Sequence, residues 1–245
     1  LAGAEDELTL YEQNVTVAQV RNAVVRYDAD DQKSPYEVLP MIKNALVQWY
    51  SDYQDDQLIT KLSASATAGE FISAASAGTE VAIVDGDKLT CALISKAKRM
   101  ALKHAPKVKP LKIDGADKYI MLISPEAARD LKTDTVWQAA QEYANVRGSK
   151  NPIFSGVLGE YDGIVLYEYE RVSITATGAS SAKVSHNLLL GQQAACYAVA
   201  REMYPIEHTD DYGNVKGNGV AAIVGFAKSK YNSHDYGCVQ VMSAA

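Results

Sequence analysis

The segment Ser34–Leu62 carries the longest helical pattern in the chain, and a helix of that length requires a large surface to pack against. Its apolar residues recur at helical spacing: Ile42, Ala45, Leu46, Trp49, Tyr53, Leu58 and Leu62. Ser34, Pro35 and Glu37 form a capping box with proline at the first helical position. Pro40 would clash inside a helix, so the regular part alternatively begins there. About 20 regular residues would extend about 30 Å.

The rest of the chain mixes helix and strand patterns. Helices are predicted at Asp87–His104, Ser124–Leu131, Asp134–Gly148 and Asn187–Tyr204, the last apolar on nearly all sides. Strands are predicted at Leu8–Val25, Val81–Val84, Lys118–Ser124, Gly163–Val172, Gly219–Tyr231 and Gly237–Ala244. Val17–Val25 also fits a short helix, and both alternatives stay open. Because strands and helices do not alternate regularly, an α+β fold is favoured over a doubly wound sheet.

The loop NPIFSGVLGEYDG, Asn151–Gly163, combines chain-breaking residues with two large apolar side chains, Ile153 and Phe154. Its glycines are predicted to be backbone hinges, and Asp162 with the glycine after it a tight turn into the strand Gly163–Val172. Ile153 and Phe154 are predicted to be packing anchors, in the core or against a neighbour. The face of the following strand that is predicted to be buried carries Val165, Tyr167, Tyr169 and Arg171.

The net charge of −6 over 245 residues argues against nucleic-acid binding as the main activity, because an acidic surface repels phosphate. Fifteen Tyr stand against three Phe, and Tyr suits surfaces that become partly buried in contacts. Cys91, Cys196 and Cys238 form no CxxC pair, so we predict small buried side chains in a reducing compartment. No apolar run approaches the roughly 18 residues of a membrane span, so no membrane partner is expected.

No motif for catalysis or ligand binding is complete. Ser95–Lys98 spells the SxxK of serine acylases but lacks the partner motifs. Gly217–Ala222 spells GxGxxA but follows a polar stretch instead of a strand, so a glycine-rich turn is predicted. His208 with Asp210 and Asp211 could form a metal-binding loop, although a solvated acidic turn fits the pattern better. We therefore predict no catalytic residue, no cofactor and no metal.

A run of basic residues begins in the predicted helix Asp87–His104 and continues beyond it. It comprises Lys96, Lys98, Arg99, Lys103, Lys107, Lys109 and Lys112. Such a run can bind phosphate or an anionic partner. It is also typical of a solvated helix face followed by a polar loop, and this second interpretation is favoured.

Six segments spaced along the whole chain are distinctive in combination. They are LAGAEDELTLY, VAQVRNAV, ALVQWYSDYQDDQLI, NPIFSGVLGEYDGIVLYEYERV, NLLLGQQAA and DYGCVQV. In their joint order and spacing they resemble the major capsid proteins of tailed bacteriophages, in the branch typified by coliphage N-four. The resemblance implies a Hong Kong 97-like fold of α+β class, with a long spine helix in a peripheral domain, an axial domain and an extended loop.

The resemblance also implies a division of the chain into domains. Residues 1–33 would form the extended loop with an N-terminal β segment, and residues 34–62 the spine helix. Residues 34–112 with 220–245 would form the peripheral domain, and residues 113–219 the axial domain. Chains of this family usually carry more sequence before this point, so an upstream N-terminal arm is expected to be missing.

What the resemblance implies about function is structural. The chain would be a non-enzymatic major capsid protein that self-assembles as hexamers and pentamers into an icosahedral shell. The shell would enclose double-stranded DNA without sequence-specific binding, and portal, scaffold and decoration proteins are further partners that it allows. The protein would be part of the virion after assembly in the host bacterial cytoplasm.

Candidate packing or subunit-contact residues are chosen for their large rings or apolar side chains. They are Trp49, Trp137, Ile153, Phe154, Tyr161 and Tyr236. Two other functions stay open. One is an encapsulin-like nanocompartment shell, which shares the fold and holds cargo proteins. The other is a soluble hydrolase that uses Ser95 or Cys196 with a distant histidine.

Overall fold

The structure, a computed structural model, describes residues 10–64, 70–113, 115–143 and 158–245. Within these ranges the α-helices are Asp28–Lys33 (α1), Val38–Ser63 (α2), Cys91–Lys103 (α3), Pro125–Leu131 (α4) and Thr135–Tyr143 (α5). The strands are Ala18–Tyr27 (β1), Phe71–Ser73 (β2), Leu111–Ile113 (β3), Ala116–Ile123 (β4), Gly159–Tyr161 (β5), Ile164–Glu168 (β6), Ile174–Thr175 (β7), Val184–Leu190 (β8), Ala195–Asp210 (β9), Val215–Lys228 (β10), Lys230–Tyr231 (β11), His234–Asp235 (β12) and Cys238–Ala244 (β13). None of the helices in the described part of the chain combines the length and hydropathy needed to cross a membrane.

The chain divides into two compact units, called here the larger unit and the smaller unit. The larger unit comprises Leu1–Asn14, Leu62–Ala194 and Lys228–Ala245, and the smaller unit comprises Val15–Lys61 and Ala195–Ala227. Both are discontinuous, because the chain leaves the smaller unit at the end of α2 and returns to it through β9 and β10. The boundaries of these two units differ from those of the predicted domains. Residues 34–61 group with 15–33, and residues 220–227 separate from 228–245.

A mixed sheet forms the centre of the larger unit. Its strand order is β2-β13-β8-β4-β6-β5, with β3 added to β4 and β7 added to β8. The pairs β13–β2 and β4–β6 are parallel, whereas β8 is antiparallel to both β13 and β4. All residues of β8 except the last are buried, because strands cover both of its edges and it lies inside the unit.

The main hydrophobic core of this unit is shared between the sheet and the helices α3, α4 and α5. Its members include Leu93, Ile94, Ala97 and Ala101 of α3, Tyr119, Met121 and Ile123 of β4, Ile164 and Leu166 of β6, and Trp137 of α5. The β4 residues alternate and the α3 residues recur at helical spacing, so each element turns one apolar face inward. The predicted cap of α4 is confirmed, since the Ser124 side chain accepts the Ala127 N–H with Pro125 at the first helical position.

The smaller unit consists of α1, most of α2 and a three-stranded sheet with the order β1-β10-β9. β1 runs antiparallel to β10, from the pair Ala18↔Val224 to the pair Tyr27↔Val215. Ile42 and Leu46 of α2 are buried with Val220 of β10 in a small apolar cluster. The predicted long helix is therefore confirmed, although it begins at Val38 and not at the capping box. Pro40 fits because it falls in the first turn, where backbone N–H groups have no acceptor within the helix.

The predicted helix Asn187–Tyr204 is wrong, because this segment forms the end of β8 and the start of β9. Its continuous apolar pattern fits a strand with both faces covered as well as a buried helix. The break falls at Gly191, where an added Cβ would lie 2.5 Å from the Lys109 carbonyl oxygen. Gln193 follows with a positive φ of 57°, so the chain turns here and cannot continue a helix.

Three smaller predictions also need correction. Val81–Val84 is not a strand, since a short 3-10 turn covers Glu80–Ala82 and only Ile83 is deeply buried. The helix predicted from Asp87 begins at Cys91, because Asp87 closes a turn by accepting the Val84 N–H at 3.0 Å. The helical alternative for Val17–Val25 is excluded, because this segment pairs with β10 as β1.

β6 and β10 also differ from the predictions, β6 in its buried face and β10 in its extent. In β6 it is Ile164 and Leu166 that are buried, whereas Tyr167 is 55% exposed, because the parallel pairing with β4 turns the aliphatic face to the core. The predicted glycine-rich turn Gly217–Ala222 lies inside β10. Gly219 is required there because a Cβ would lie 2.9 Å from the Ala23 Cβ of β1.

Candidate functional site

Two of the predicted contact residues pack together in the core of the larger unit. Trp137 is 6% exposed, and its ring lies 6.2 Å from that of half-buried Tyr161, at a tilt of 49°. Burial raises the pKa of Tyr161, and the hydroxyl also interacts with Cys91 and Ser95. Both rings therefore pack within the larger unit, and their role in subunit contacts stays a prediction.

The other predicted contact residues differ in their surroundings. Trp49 is half-buried in the smaller unit, where it packs against Ile42 and Leu46 and stacks on Tyr53 at 5.8 Å between ring centroids. Tyr236 is half-buried in the larger unit, and its backbone N–H donates to the Ser229 carbonyl at 2.9 Å. Ile153 and Phe154 lie outside the described residues.

β1 exposes apolar side chains on both of its faces. Val24 is 36% exposed, Val25 55% and Tyr27 51%. Because successive strand residues point to opposite faces, Val24 and Val25 present apolar surface in two directions. A strand of this kind is well suited to be covered by another polypeptide. The sequence predicted a strand at Leu8–Val25 but did not single out the pair Val24 and Val25, whose adjacency breaks the apolar-polar alternation.

β9 exposes a second apolar row. Tyr197, Val199 and Met203 lie on one face of the strand and are 49%, 44% and 37% exposed. β9 ends the strand order of its sheet, so within the described residues one of its edges lacks a partner strand. Pro205 has no N–H to offer a partner strand and is tolerated at an edge. The row was missed in the sequence because the segment was interpreted as a helix.

An aromatic and hydrogen-bonded cluster holds α2 against β9. The Gln54 amide donates to the Tyr197 hydroxyl at 2.7 Å, and the hydroxyls of Tyr50 and Tyr197 lie 3.4 Å apart. The Tyr197 ring stacks on Phe226 of β10 at 5.0 Å. Burial, followed by the hydrogen bond to Tyr197, raises the pKa of Tyr50 to about 12. The cluster is therefore uncharged at neutral pH and positions the exposed row of β9.

Ion pairs hold α1 against the sheet of the smaller unit. Lys216 of β10 binds Asp28 at 2.6 Å, and its hydrogen bond and charge lower the pKa of that carboxyl. Arg26 of β1 pairs with Asp31 and donates through Nε to Asn218 at 3.2 Å. These bonds connect β1 to its neighbours at the end where its apolar residues are exposed.

The candidate nucleophiles Ser95 and Cys196 and the two other thiols lie in different surroundings. Lys98 donates to Asp162 at 2.7 Å, and the Ser95 hydroxyl also contacts that carboxylate, so Lys98 is engaged by an acid. Burial raises the pKa of Cys91 and of Cys238 to about 12, so both thiols stay protonated at neutral pH. Cys196 is half-buried.

The candidate metal loop is an exposed turn. His208, Asp210 and Asp211 lie at the end of β9 and in the short turn that follows it, and all three are exposed. Across the described ranges, no group of three or more histidine, cysteine or acidic side chains is arranged to hold a metal ion.

The chain is similar to capsid proteins of bacteriophages in sequence and in fold. A model of the family described as "Phage capsid protein" matches residues 1–71 and 63–245. The curated major capsid protein of Pseudomonas phage KPP25 is 32% identical over 154 residues, which cover 56% of this chain and 41% of that protein. The chain thus spans about two fifths of this relative's length.

Two solved structures extend the similarity to nearly the whole chain. The capsid of Ralstonia phage GP4 matches with a TM-score of 0.84 at 23% identity, over 99% of this chain and 77% of that one. The capsid of cyanophage Pam1 matches with a TM-score of 0.83 at 19% identity, over 99% of this chain and 81% of that one. The α+β, Hong Kong 97-like capsid fold is therefore confirmed.

Proposed function

The chain belongs to the phage capsid protein family, and from this premise we propose that it is a major capsid protein of a tailed bacteriophage. Copies assemble as hexamers and pentamers into an icosahedral head shell that encloses the double-stranded DNA genome. The observation that carries this proposal is the family match along the chain from residue 1 to residue 245. The apolar surfaces of β1 and β9 support it, because a shell subunit needs contacts spread over extended segments.

The two units support an assignment of the capsid domains. The smaller unit, with α2 as the spine helix and β1 in the extended loop, is the peripheral domain. The larger unit, with its mixed sheet and the helices α3 to α5, is the axial domain. This assignment differs from the predicted domains. Residues 195–219 pass to the peripheral domain, and residues 62–112 and 228–245 pass to the axial domain, where β13 pairs with β8 and β2.

The protein acts without catalysis. Lys98 is engaged by Asp162, and the thiols of Cys91 and Cys238 stay protonated at neutral pH, so none of these three side chains is an activated nucleophile. The acidic net charge favours enclosing DNA over binding it tightly. Assembly takes place in the cytoplasm of the bacterial host, with portal, scaffold and decoration proteins as partners, and the product is part of the virion.

Electron microscopy of the purified protein tests the shell role. We expect closed shells or capsomers, and native particles from infected cells should protect DNA from nuclease. Shells that hold proteins instead of nuclease-protected DNA would indicate a nanocompartment. A stable monomer at high concentration, with hydrolase activity that Ser95→Ala abolishes, would overturn the proposal.

A further inference from the structure

A cleft of about 660 Å³ in the larger unit, called here the α3 cleft, collects positive charge. Lys96, Arg99 and Lys103 line it from α3. Their spacing of three and four residues places them on one side of the helix, one turn apart. We propose that the α3 cleft is a binding site for phosphate groups, from a nucleic-acid backbone or from free phosphate or pyrophosphate. The site goes beyond the shell role and does not depend on it.

The three cations of the cleft have no acidic partner among the described residues, whereas Lys98 on the same helix is held by Asp162 at 2.7 Å. All three are exposed, so their charges are open to an incoming anion. In a chain whose net charge is −6, such a group concentrates positive potential in one concave place. An oxyanion entering the cleft would therefore gain several charge-assisted hydrogen bonds.

One nitrogen of a buried imidazole in the cleft wall, His104 Nε2, also lacks a hydrogen bond. The His104 side chain is only 5% exposed, and its Nδ1 lies 2.9 Å from the Pro106 carbonyl oxygen. A carbonyl can only accept, so Nδ1 carries the hydrogen and Nε2 is left without a hydrogen bond. Leaving such an atom unsatisfied in a buried place is costly. The neutral ring can accept from a P–O–H group, and the protonated ring can donate to a P–O⁻ oxygen.

Glu70 lies in the same cleft, but its carboxylate is already engaged. One oxygen contacts His234 Nδ1, and the other accepts the backbone N–H of Asp235 at 2.7 Å. Glu70 Oε1 is 3.6 Å from His104 Nε2, which is beyond hydrogen-bond distance. The cleft therefore holds one negative charge, on Glu70, and three positive charges on the α3 side chains, so its net charge is positive. Glu70 therefore positions His234 and leaves the hydrogen-bonding capacity of His104 Nε2 unused.

The number of donors favours phosphate over a carboxylate from a second copy of the chain. Lys96, Arg99, Lys103 and the His104 ring surround one concave space of a volume typical of small-ligand sites. A phosphate group presents at least two charged or protonated oxygens in a tetrahedral arrangement, and pyrophosphate presents more. A carboxylate presents two oxygens in one plane and a single negative charge, so it would balance only part of the positive charge of the cleft.

Matched triple variants of the full-length, unassembled chain test the site. Lys96→Gln with Arg99→Gln and Lys103→Gln removes the cleft cations. Lys107→Gln with Lys109→Gln and Lys112→Gln removes the same charge from exposed residues of the same basic run that do not line the cleft. Calorimetry with phosphate and pyrophosphate should show about tenfold weaker binding or more for the cleft triple, and a change below about twofold for the control triple.

A short fluorescent DNA duplex distinguishes the two sources of phosphate. If the cleft takes backbone phosphates, the cleft triple lowers the slope of log affinity against log salt by about 2 to 3, because three phosphate contacts are lost. If the cleft triple weakens pyrophosphate binding but leaves binding of the duplex unchanged, the cleft is a site for free phosphate. Either result supports a phosphate site.

Heteronuclear NMR of the histidine rings provides a second measurement that needs no destabilising change. Phosphate or pyrophosphate should shift the His104 Nε2 resonance in the native protein and not in the cleft triple. Equal loss of binding in both triples, or no shift at His104, would overturn the proposal. So would a cleft triple that binds phosphate normally but no longer self-associates, which would indicate an acidic segment of a second copy. Microscopy shows whether the cleft triple still forms shells. This measurement separates the phosphate site from the shell role.

Discussion

Val24 and Val25 are adjacent in β1, and both are exposed although they point to opposite faces of the strand. In a shell, at least one of these faces would be covered by a neighbouring subunit, because exposed apolar pairs of this kind favour burial. We therefore predict that Val25→Glu prevents assembly and leaves the subunit folded. A charge buried without a partner costs several kcal/mol, and each 1.4 kcal/mol or so weakens an association about tenfold.

The control for this change is Gln19→Glu, which adds the same charge to an exposed polar position of the same strand. Particle yield by sedimentation should fall at least about tenfold for Val25→Glu and stay near the native value for Gln19→Glu. Normal shells from Val25→Glu would show that this face of β1 is not an assembly surface.

The two tryptophans provide a comparison of packing. Trp137 is 6% exposed, and Trp137→Ala should cost about 3–5 kcal/mol of unfolding free energy. Trp49 is only half-buried at the edge of its cluster, so Trp49→Ala should cost less, about 1–3 kcal/mol. Urea unfolding of the unassembled chain measures both changes. A larger loss for Trp49→Ala than for Trp137→Ala would contradict this order.

His186 is a buried titratable group in β8. Its Nδ1 accepts from the Gln240 amide at 2.7 Å, and its Nε2 lies 2.9 Å from the Thr175 hydroxyl. Burial lowers its pKa, and the nearby Glu80 carboxylate opposes that shift. The unfolded chain therefore takes up a proton on this histidine at a higher pH than the folded chain does. The contribution of His186 to the free energy of unfolding is fully present above its ordinary pKa of 6.5 and is lost as the pH falls below that value.

His186→Gln removes this titration and should flatten the dependence of stability on pH between 7 and the lowered pKa of His186. NMR titration of the His186 ring provides the direct check. A midpoint at or above the ordinary pKa of 6.5 would contradict the assignment.

At the scale of elements, the close contact between β1 and β10 depends on glycine. A Cβ on Gly225 would lie 2.4 Å from the Thr16 carbonyl oxygen, so Gly225→Ala forces the two segments apart. We expect a loss of about 1–3 kcal/mol, with faster hydrogen exchange in β1. Gly86→Ala is the matched control, since nothing lies within 4 Å of its added Cβ. Unchanged exchange in β1 after Gly225→Ala would disprove this close approach.

Elements with a clear period were predictable from the sequence, and elements shaped by their neighbours were not. α2 and α5 follow their helical stripes, and β13 follows its apolar run. The segment covering the end of β8 and the start of β9 was predicted as one helix. A continuous apolar sequence is expected both for a strand with two covered faces and for a buried helix, so the pattern does not distinguish them. In β6 the buried face was misjudged, because its partner β4 decides which face meets the core. Tertiary pairing is the missing information in each case.

At the scale of the whole molecule, the family and the fold class followed from the order of several weak patterns. The boundaries of the two units could not be obtained in this way, because the smaller unit is assembled from residues far apart in sequence, such as β1 and β10. The contact role of all six candidate residues stays a prediction: Trp49, Trp137, Ile153, Phe154, Tyr161 and Tyr236. The exposed rows of β1 and β9 became visible only once the strand pairing was known.

The central claim is that this chain forms an icosahedral shell in which neighbouring subunits cover β1. A symmetry-averaged cryo-electron microscopy reconstruction of purified particles tests it most directly. We expect capsomers of five and six copies of the chain, with the apolar side chains at Val24 and Val25 in contact with an adjacent subunit. Particles without icosahedral symmetry, or shells in which both faces of β1 are bare to solvent, would contradict it.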